Sequence, residues 1–532
     1  MSLKTRTTTA KKSGPLGLPI ELLATLETKV QAVKTTPGHG VAGRHATRQL
    51  LDALSGNKDP GMFGRMFPKL PALAISDEKL QALADAMIDN DPNIAAGNNP
   101  KIPAGFTYLG QFVDHDITLD LTSLGDKEKD PLGIENFRTP SLDLDAIYGL
   151  GPDGGPHLYA RNPGEGSGRK HGPKFLIGKN FNSGEGAFRN DLPRSPEGFA
   201  LIADHRNDEN LLVAQTHVAM LKFHNKVCDR ISADPNPPAD VFAEARKLVT
   251  WHYQWMVLHD WVERLTEPGI VAKILHDGRK FYRFKRVPFM PVEFSAAAYR
   301  LGHSMVRQRY AHNRVFTAAD FFLFFEFTGL SGGLVGDLAP TPPTTPPNTA
   351  FPTLPSNWII DWRRFHELGD MGGAHVEINS SRRIDPFLAS SLHGLPGGGG
   401  NLAFRNLKRG VNLGLPSGQS VATRMKIKNP LTPDEIASGT DGAVAKAKGL
   451  HTSTPLWYYI LKEAKVRHNG ERLGPVGSTI ISEVFVGLVQ GDQNSYLWQR
   501  ANWKPTLPSK QAGNFTMADL LRFVDDVNPI GD

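Results

Sequence analysis

Three polar residues, Gln111, Asp114 and His115, interrupt the apolar stretch FTYLGQFVDHDITL at residues 106–119. Residues three and four apart share one face of a helix, so these three side chains would lie together. Polar groups on an apolar helix need buried partners, or they face a cavity. The simple interpretation is a capped helix with a hydrogen-bonded core histidine, and the alternative is a catalytic histidine.

The run Asp114-His115-Asp116 also offers metal ligands. Neighbouring residues on a helix point about 100° apart, so one ion is not expected to take all three. A metal site made from this run alone is therefore disfavoured.

Arg206 and Glu209 form a second candidate pair, three residues apart at the opening of a predicted helix. A surface salt bridge is the simple interpretation of this spacing. Farther along the same helix, His217 and His224 are seven residues apart on one face and could suggest a metal pair.

A third candidate is His303, which follows Gly302 in an apolar segment. Glycine inside a helix costs about 1 kcal/mol relative to alanine, so something should approach the backbone closely there. Gly302 would let a flat macrocycle lie beside the histidine.

A fourth candidate is a loop that alternates oxygen donors with other residues, at Thr139, Ser141, Asp143 and Asp145. In an extended loop these side chains point the same way and could converge on a hard cation. The simple interpretation is a solvated acidic loop.

Helices must position most of these groups. Apolar periodicity predicts helices over Glu209–Ser232 and Asp240–Leu265, and apolar runs predict buried helices over Glu293–Arg307 and Thr479–Val489. Strand alternation is weak throughout. We therefore predict a mainly α fold, a single large domain with short β pieces and long loops.

The predicted domain covers residues 61–532, after an irregular N-terminal arm at residues 1–60 with one short helix around Glu21–Lys34. Prolines make residues 340–355 an extended loop, and glycines make residues 395–400 a turn.

Composition limits the function classes. The chain of 532 residues is 40% hydrophobic and 21% charged with net charge +6, which is typical of a globular protein. No basic stripe carries interleaved aromatics, so nucleic acid is not an expected partner. Cys228 is the only cysteine, which excludes an intrachain disulfide and favours a reducing compartment.

The N-terminal residues show no secretory signal, and no long apolar run predicts a transmembrane segment. The expected location is therefore cytoplasmic, or outside the cell by a leaderless route.

The segment GQFVDHD resembles the distal motif of animal haem peroxidases, in the bacterial, myeloperoxidase-like part of the peroxidase and cyclooxygenase superfamily. The resemblance implies that Gln111 places halide and water and that His115 shuttles the peroxide proton. It further implies that Asp114 forms an ester to a haem methyl and that Asp116 ligates calcium.

The residues RNDEN resemble the family's Arg-x-x-Glu pattern, which implies that Arg206 lies over the distal haem face and Glu209 forms a second ester. Asn210 stands where myeloperoxidase has a sulfonium-forming methionine, so no sulfonium bond is expected. The resemblance gives His217 and His224 no ligand role.

Residues 299–303 resemble the family's Phe-Arg-x-Gly-His motif, with Tyr299 replacing phenylalanine. This implies that His303 is the proximal iron ligand and that Arg300 contacts the cofactor. The family supports this histidine with an asparagine on a later helix. Asn401 is the candidate here, and Asn406 is the alternative.

The oxygen-donor loop resembles the family's calcium loop, with aspartate at position 145 where serine is usual. The resemblance implies a Ca²⁺ ion bound by residues of the loop and of the distal helix, namely Asp116, Thr139, Ser141, Asp143 and Asp145.

We therefore expect a haem peroxidase that uses hydrogen peroxide to oxidise halides, thiocyanate or phenolic donors. Its cofactors would be haem b, which esters could attach, and Ca²⁺. The alternative is a haem-dependent fatty-acid dioxygenase, which carries a radical tyrosine three residues before the proximal histidine. Arg300 occupies that position and Tyr299 lies one residue earlier. A non-enzymatic helical scaffold is the remaining alternative.

Overall fold

The computed structural model describes most of the chain after residue 62. The described residues are 63–119, 138–161, 171–180, 188–285, 287–329, 331, 333–334, 336, 352–369, 371, 376–394 and 400–532. The predicted arm at residues 1–60, with its helix at Glu21–Lys34, lies outside them, as do most of the proline-rich loop and of the glycine turn.

Helices dominate the described residues, which confirms the predicted mainly α fold. The longer helices, in chain order, are α1 Asp77–Asp85, α2 Gly105–Ile117, α3 Leu211–Ser232, α4 Val241–Met256, α5 Ile270–Asp277, α6 Leu402–Asn412, α7 Gly418–Met425, α8 Gly439–Ala447, α9 Leu456–His468, α10 Pro475–Gly491 and α11 Met517–Val524.

Short helical pieces lie between them. The α-helical pieces are Asp145–Tyr148, Gly151–Gly154, Glu263–Leu265, Val292–Ser295, Gly302–Met305, Leu323–Glu326, Pro433–Ile436 and Tyr496–Gln499. The 3₁₀ turns are Ala95–Gly97, Pro156–Leu158, His205–Asp208, Ala298–Leu301, Ser356–Trp358, Trp362–Arg364 and Ser390–His393.

The described strands pair only in twos, as the weak alternation predicts. They are β1 Phe63–Gly64, β2 Ile88–Asp89, β3 Asn98–Pro103, β4 Tyr159–Arg161, β5 His171–Phe175, β6 Met290–Pro291, β7 Arg309–Tyr310, β8 Ala319–Asp320, β9 Ser380–Arg382 and β10 Leu388–Ala389. The pairs β1–β6 and β2–β10 are parallel; β3–β9, β4–β5 and β7–β8 are antiparallel.

The helix that carries His115, α2, is fixed at its start and in its middle. The amide of Gly105 donates to the carbonyl of Phe365 at 3.0 Å. A Cβ atom at Gly110 would lie 2.7 Å from Cζ2 of Trp261, so the close contact of the two segments requires glycine there. The helix ends at Thr118, whose hydroxyl donates back to the carbonyl of Asp114 at 2.9 Å.

Two predicted helices are confirmed with small shifts of their ends. Asn210 caps α3, so Arg206 and Glu209 lie before the helix, on and after a separate 3₁₀ turn. Asp240 caps α4, which continues through a π-helical stretch, Val257–Val262, to Leu265. The predicted helix at Thr479–Val489 is the central part of α10.

The predicted helix over Glu293–Arg307 is wrong. The segment breaks at Ala297, whose φ of −130° and ψ of −75° are not helical, into Val292–Ser295, Ala298–Leu301 and Gly302–Met305. Alanines favour a continuous helix here, but tertiary contacts override that preference. The Tyr299 ring stacks on Phe294 at 4.9 Å and its hydroxyl donates to the carbonyl of Gly110 at 3.0 Å.

Within the described residues, no helix is both long and apolar enough to cross a membrane.

Candidate active site

His115 lies on α2 with one ring nitrogen occupied. Its side chain is buried, and Nδ1 lies 2.8 Å from Oδ1 of Asn207. Nε2 makes no hydrogen bond within the described part of the chain. Burial, followed by the positive charge of Arg206, lowers the pKa of His115 to about 4. The imidazole is therefore neutral near pH 7, with Nε2 available as a base.

Arg206 lies beside His115 and is held by a carboxylate. Its Nε and one terminal nitrogen donate to Asp204 at 3.1 and 2.8 Å, and the same terminal nitrogen donates to the carbonyl of His115 at 2.9 Å. Asp204, fully buried, also pairs with Arg138. Burial acts to raise the pKa of Asp204, but the two guanidinium groups hold it well below its usual range. The ion-pair partner of Arg206 is thus Asp204, not Glu209.

Gln111, Asp114 and Glu209 are near His115 and Arg206. Oε1 of Gln111 accepts from Nδ2 of Asn210 at 3.0 Å, and Oδ1 of Asp114 accepts from the Thr118 hydroxyl at 3.1 Å. The Glu209 residue is accessible, yet desolvation raises the pKa of its carboxyl group.

His303 also has Nδ1 beside an asparagine amide, but it faces the other atom of that amide. Its Nδ1 lies 2.8 Å from the amide nitrogen of Asn406 on α6, and Nε2 has no hydrogen bond to any described residue. Burial, followed by the charges of Arg300, Arg409 and Arg405, lowers the pKa of His303 to about 3, so this imidazole is also neutral. Because an amide nitrogen only donates, this placement puts the ring proton on Nε2, and binding a metal through Nε2 requires the Asn406 amide to turn its oxygen towards Nδ1.

The two histidine segments are directly connected. The hydroxyl of Tyr299, four residues before His303, donates to the carbonyl of Gly110 on α2 and accepts from Nε1 of Trp261 at 3.1 Å. We call α2 with the turn His205–Asp208 the distal segment, and Ala298–Met305 with α6 the proximal segment.

Part of the chain matches a family of known proteins. Residues 123–322, which include Arg206, Glu209 and His303, match the family model for the animal haem peroxidase. The chain is 30% identical over 109 residues to the human protein named probable oxidoreductase PXDNL, a match covering 20% of this chain and 7% of that relative. The chain thus spans only a small part of that relative's length.

One solved structure, that of a peroxidase, shares the fold. Peroxidase A from Dictyostelium discoideum superposes with a TM-score of 0.55 at 15% identity, over 87% of this chain and 92% of that one. A fatty acid alpha-dioxygenase from Arabidopsis thaliana gives a TM-score of 0.49 at 14% identity, over 88% and 76% of the two chains, too weak a likeness to bear on activity.

Residues 123–322 of this chain thus resemble an animal haem peroxidase domain, and the chain as a whole has the fold of a known peroxidase.

Haem is the cofactor named by the matched family model, and the residues of the two segments fit one. A Cβ atom added at Gly302 would meet no described atom within 4 Å beyond its chain neighbours, so the backbone beside His303 is open. Nε2 of His303 makes no hydrogen bond to a described residue and would bind iron once the ring proton is on Nδ1, while His115 and Arg206 supply a base and a cation. These features match what a macrocycle with a histidine ligand requires.

The prediction that Asn401 supports the proximal histidine is wrong, and the alternative, Asn406, is in contact with it. Asn401 instead caps α6, where its Oδ1 accepts from the amide of Phe404 at 3.1 Å. An N-cap residue lies outside the helix and spends its side chain on the first turn. Asn406, inside the helix and buried, is the residue that reaches His303.

The predicted calcium residues lie close together, but no ion site is demonstrated. The Thr139 hydroxyl donates to Asp143 at 2.9 Å, and Asp116 accepts from the amide of Leu144 at 3.2 Å. Burial, followed by the charge of Asp143, raises the pKa of Asp116 to about 8. Within the described ranges, no group of three histidine, cysteine or carboxylate residues forms a metal site.

In the calcium loop, Ser141 is placed by its backbone, which donates to the carbonyl of Thr139 at 2.8 Å, and Asp145 lies 3.4 Å from the hydroxyl of that threonine. The calcium site therefore remains a prediction.

Sequence reasoning missed three side chains that hold the distal residues: Asp204, Asn207 and Asn210. All three are buried polar residues near the start of α3. The cluster of Asp and Asn in ADHRNDEN was the available signal, because such residues occur at helix starts to cap them. Two of them do cap helical turns, and all three also contact a predicted site residue.

His217 and His224 do not form a metal pair. Nδ1 of His224 lies 3.0 Å from the hydroxyl of Tyr148, and its Nε2 lies 2.8 Å from the carbonyl of Pro173. His217 instead contacts Asn207 at 2.9 Å. The structural interpretation of both residues is therefore supported.

Proposed function

We propose that this chain is a haem peroxidase that uses hydrogen peroxide to oxidise small anionic or aromatic donors. The observation that carries the proposal is the pair of neutral histidines, His115 and His303, on connected segments. Nδ1 of His115 faces an amide oxygen and Nδ1 of His303 an amide nitrogen, and neither Nε2 has a hydrogen-bond partner in the described part of the chain. One such histidine suits a general base and the other suits an iron ligand.

The proximal segment would hold the cofactor. His303 would bind the iron through Nε2, Gly302 would let the ring approach the backbone, and Arg300 with its neighbouring arginines would attract anionic substituents of the ring. When bound, haem supplies the capacity to accept the two oxidising equivalents of peroxide and pass them to a donor.

The distal segment would handle the proton. Nε2 of His115 accepts the proton of the incoming peroxide and returns it to the departing oxygen, a role typically worth about 10²–10⁴ in rate. Arg206 stabilises the negative charge that develops on the peroxide oxygens, and Asp204 keeps its guanidinium in place.

The donors we propose are halides, thiocyanate and phenols. Gln111, partly accessible and oriented by Asn210, presents an amide to the space near His115, where a halide or water could be placed. Tyr299 is held by two hydrogen bonds, to Gly110 and Trp261, and burial raises the pKa of its phenol, which keeps the phenol protonated. This arrangement favours donor oxidation over a tyrosyl-radical dioxygenase.

We also propose that Asp114 and Glu209 attach the cofactor by esters. Each carboxylate oxygen would bond to a haem methyl carbon. One peroxide molecule would accept the hydrogen lost from the methyl group and the hydrogen lost from the carboxylic acid, and would leave as two waters. Acid extraction of peroxide-treated protein should leave haem on the polypeptide of the wild type and none on the Asp114→Ala, Glu209→Ala double variant. Complete extraction of haem from the wild type would reject the esters but not the proposed peroxidase function.

We propose a Ca²⁺ ion at the oxygen-donor loop because the charges there would favour a cation. The loop residues are Thr139, Ser141, Asp143 and Asp145. Asp116 and Asp143 repel each other in a buried place, and a divalent cation would relieve that repulsion. Chelation should lower the melting temperature and alter the haem spectrum. Metal analysis that finds no calcium in fully active protein would remove this part of the proposal.

The experiment for the function as a whole is an absorption spectrum of the full chain with haem, followed by peroxide assays. We expect a Soret band and peroxide-dependent oxidation of bromide, iodide, thiocyanate or a phenol. Oxygenation of linoleate without any added donor, abolished by Tyr299→Phe, would instead establish the dioxygenase activity.

A further inference from the structure

Behind His115 lie two polar side chains, Asn207 and His217, that no proposed catalytic step uses. Nδ1 of His115 lies 2.8 Å from Oδ1 of Asn207, and Nδ2 of Asn207 lies 2.9 Å from Nδ1 of His217. Asn207 is 0% exposed and His217 is 1% exposed. The three groups in series constrain one another's protons, because a donor must face an acceptor at each of the two contacts.

The amide assigns those protons. Its oxygen can only accept, so the ring of His115 must carry its proton on Nδ1. Its nitrogen can only donate, so Nδ1 of His217 must be a lone pair and the proton of His217 lies on Nε2. In a neutral imidazole with the proton on Nδ1, Nε2 holds the free lone pair. This is the tautomer in which His115 accepts a proton from a substrate.

The surroundings keep the amide in place. Asn207 lies in the turn His205–Asp208, directly after Arg206, and its backbone amide donates to the carbonyl of Asp204 at 3.1 Å. His217 is fixed on the first half of α3 and packs edge-on against Phe112 of α2 at 6.1 Å. The same turn therefore positions both Arg206 and Asn207, the residue that contacts His115.

We propose that Asn207 and His217 are positioning residues that hold His115 in the tautomer with a proton on Nδ1 and a lone pair on Nε2. The tautomer follows from the contacts themselves, while its effect on peroxide rests on the proposed function, in which His115 is the base.

The experiment measures two rates in the haem-loaded full chain by stopped flow. One is the second-order reaction with hydrogen peroxide. The other is the association of cyanide, added as HCN, which must also give its proton to a base but involves no oxidation. The variants are Asn207→Leu, Asn207→Asp and His217→Phe, with His115→Ala as the reference. His224→Phe is the matched control, since it removes another buried histidine of α3 that does not contact the site.

We expect Asn207→Leu to lower both rates about 10- to 100-fold, part of the full value of a general base. Asn207→Asp should recover most of that loss, because its carboxylate also accepts from Nδ1. His217→Phe should lower both rates about 2- to 10-fold, a smaller part of the value of a general base, because the Asn207 amide loses a contact that orients it. His224→Phe should leave the rates unchanged. Thermal unfolding of each variant separates these effects from a general loss of structure.

Asn207→Leu that reacts at the wild-type rate, or Asn207→Asp that is no faster than Asn207→Leu, overturns the proposal for Asn207. His217→Phe that matches His224→Phe overturns it for His217. If His115→Ala keeps both wild-type rates, the proposed function fails together with the positioning roles of Asn207 and His217. If His115→Ala reacts slowly while Asn207→Leu reacts at the wild-type rate, the proposed function stands and only the positioning role of Asn207 is rejected.

Discussion

The distal and proximal segments each present a neutral imidazole whose Nδ1 lies beside an asparagine amide, but the two rings differ in the charges around them. Beside His115, Arg206 is paired with a buried carboxylate, Asp204. Beside His303, burial acts first to keep the ring neutral, and the charges of Arg300, Arg409 and Arg405 act in the same direction.

This difference suits two different tasks. A base that receives and returns a proton needs a nearby cation whose position is fixed, and the Asp204 carboxylate fixes it. A metal ligand must stay deprotonated, and a ring among positive charges does so over a wide pH range. The two histidines thus differ both in the charges around them and in the amide atom at Nδ1, which is the oxygen of Asn207 for His115 and the nitrogen of Asn406 for His303.

The largest effect should come from Arg206. We expect Arg206→Leu to lower the peroxide reaction rate about 10²–10³-fold while haem is retained, because the site loses its preorganised cation. The measurement is the stopped-flow rate together with the Soret absorbance. Loss of haem from this variant would show that Arg206 serves cofactor binding, the task assigned to the proximal segment, and would contradict its role in the peroxide reaction.

Removing the carboxylate should act on stability as well as on rate. Asp204→Ala leaves Arg206 and Arg138 without their buried partner, so the free energy of unfolding should fall by about 3–5 kcal/mol. Chemical denaturation of wild type and variant measures this. A decrease of less than 1 kcal/mol in the free energy of unfolding would show that these ion pairs do not stabilise the turn His205–Asp208.

The proximal asparagine should matter for haem affinity. We expect Asn406→Leu to weaken haem binding about 10- to 100-fold, as loss of a supporting contact to a metal-bound histidine usually does. Asn401→Leu provides the matched control, since it removes only a helix cap worth about 1 kcal/mol. Equal haem affinity in the two variants, measured by titration, would contradict the assignment of Asn406.

The smallest effect concerns pH. The pKa of His115 is lowered to about 4, so the ring is neutral and competent above that value and protonated below it. The peroxide reaction rate should be flat near neutrality and fall as the pH drops through about 4. A rate that already falls between pH 7 and pH 6 would show a histidine of ordinary pKa.

The sequence allowed the main site residues to be predicted, because Gln111, Asp114, His115, Arg206 and His303 lie in short contiguous motifs. Contacts that join distant segments were not predictable in the same way. Asn401 and Asn406 differ only in their place relative to the start of α6, which no motif indicates. Asn207 reaches His115 across 92 positions of the sequence.

Local preference also misled in one place. Three alanines at residues 296–298 favour a continuous helix, yet the chain breaks there. The break lets the Tyr299 hydroxyl reach Gly110 and the proximal turn begin, and these are contacts to another part of the molecule. Helix propensity describes the segment alone and contains no information about such a partner.

The most direct test of the division of roles is a pair of single variants, His303→Ala and His115→Ala, studied side by side in haem-loaded protein. We predict that His303→Ala loses most of its haem, measured as Soret absorbance per polypeptide. His115→Ala should keep its haem and react with peroxide about 10²–10⁴-fold more slowly, the usual value of a general acid–base catalyst. The reversed pattern, with haem lost from His115→Ala and retained in a slow His303→Ala, would contradict the account.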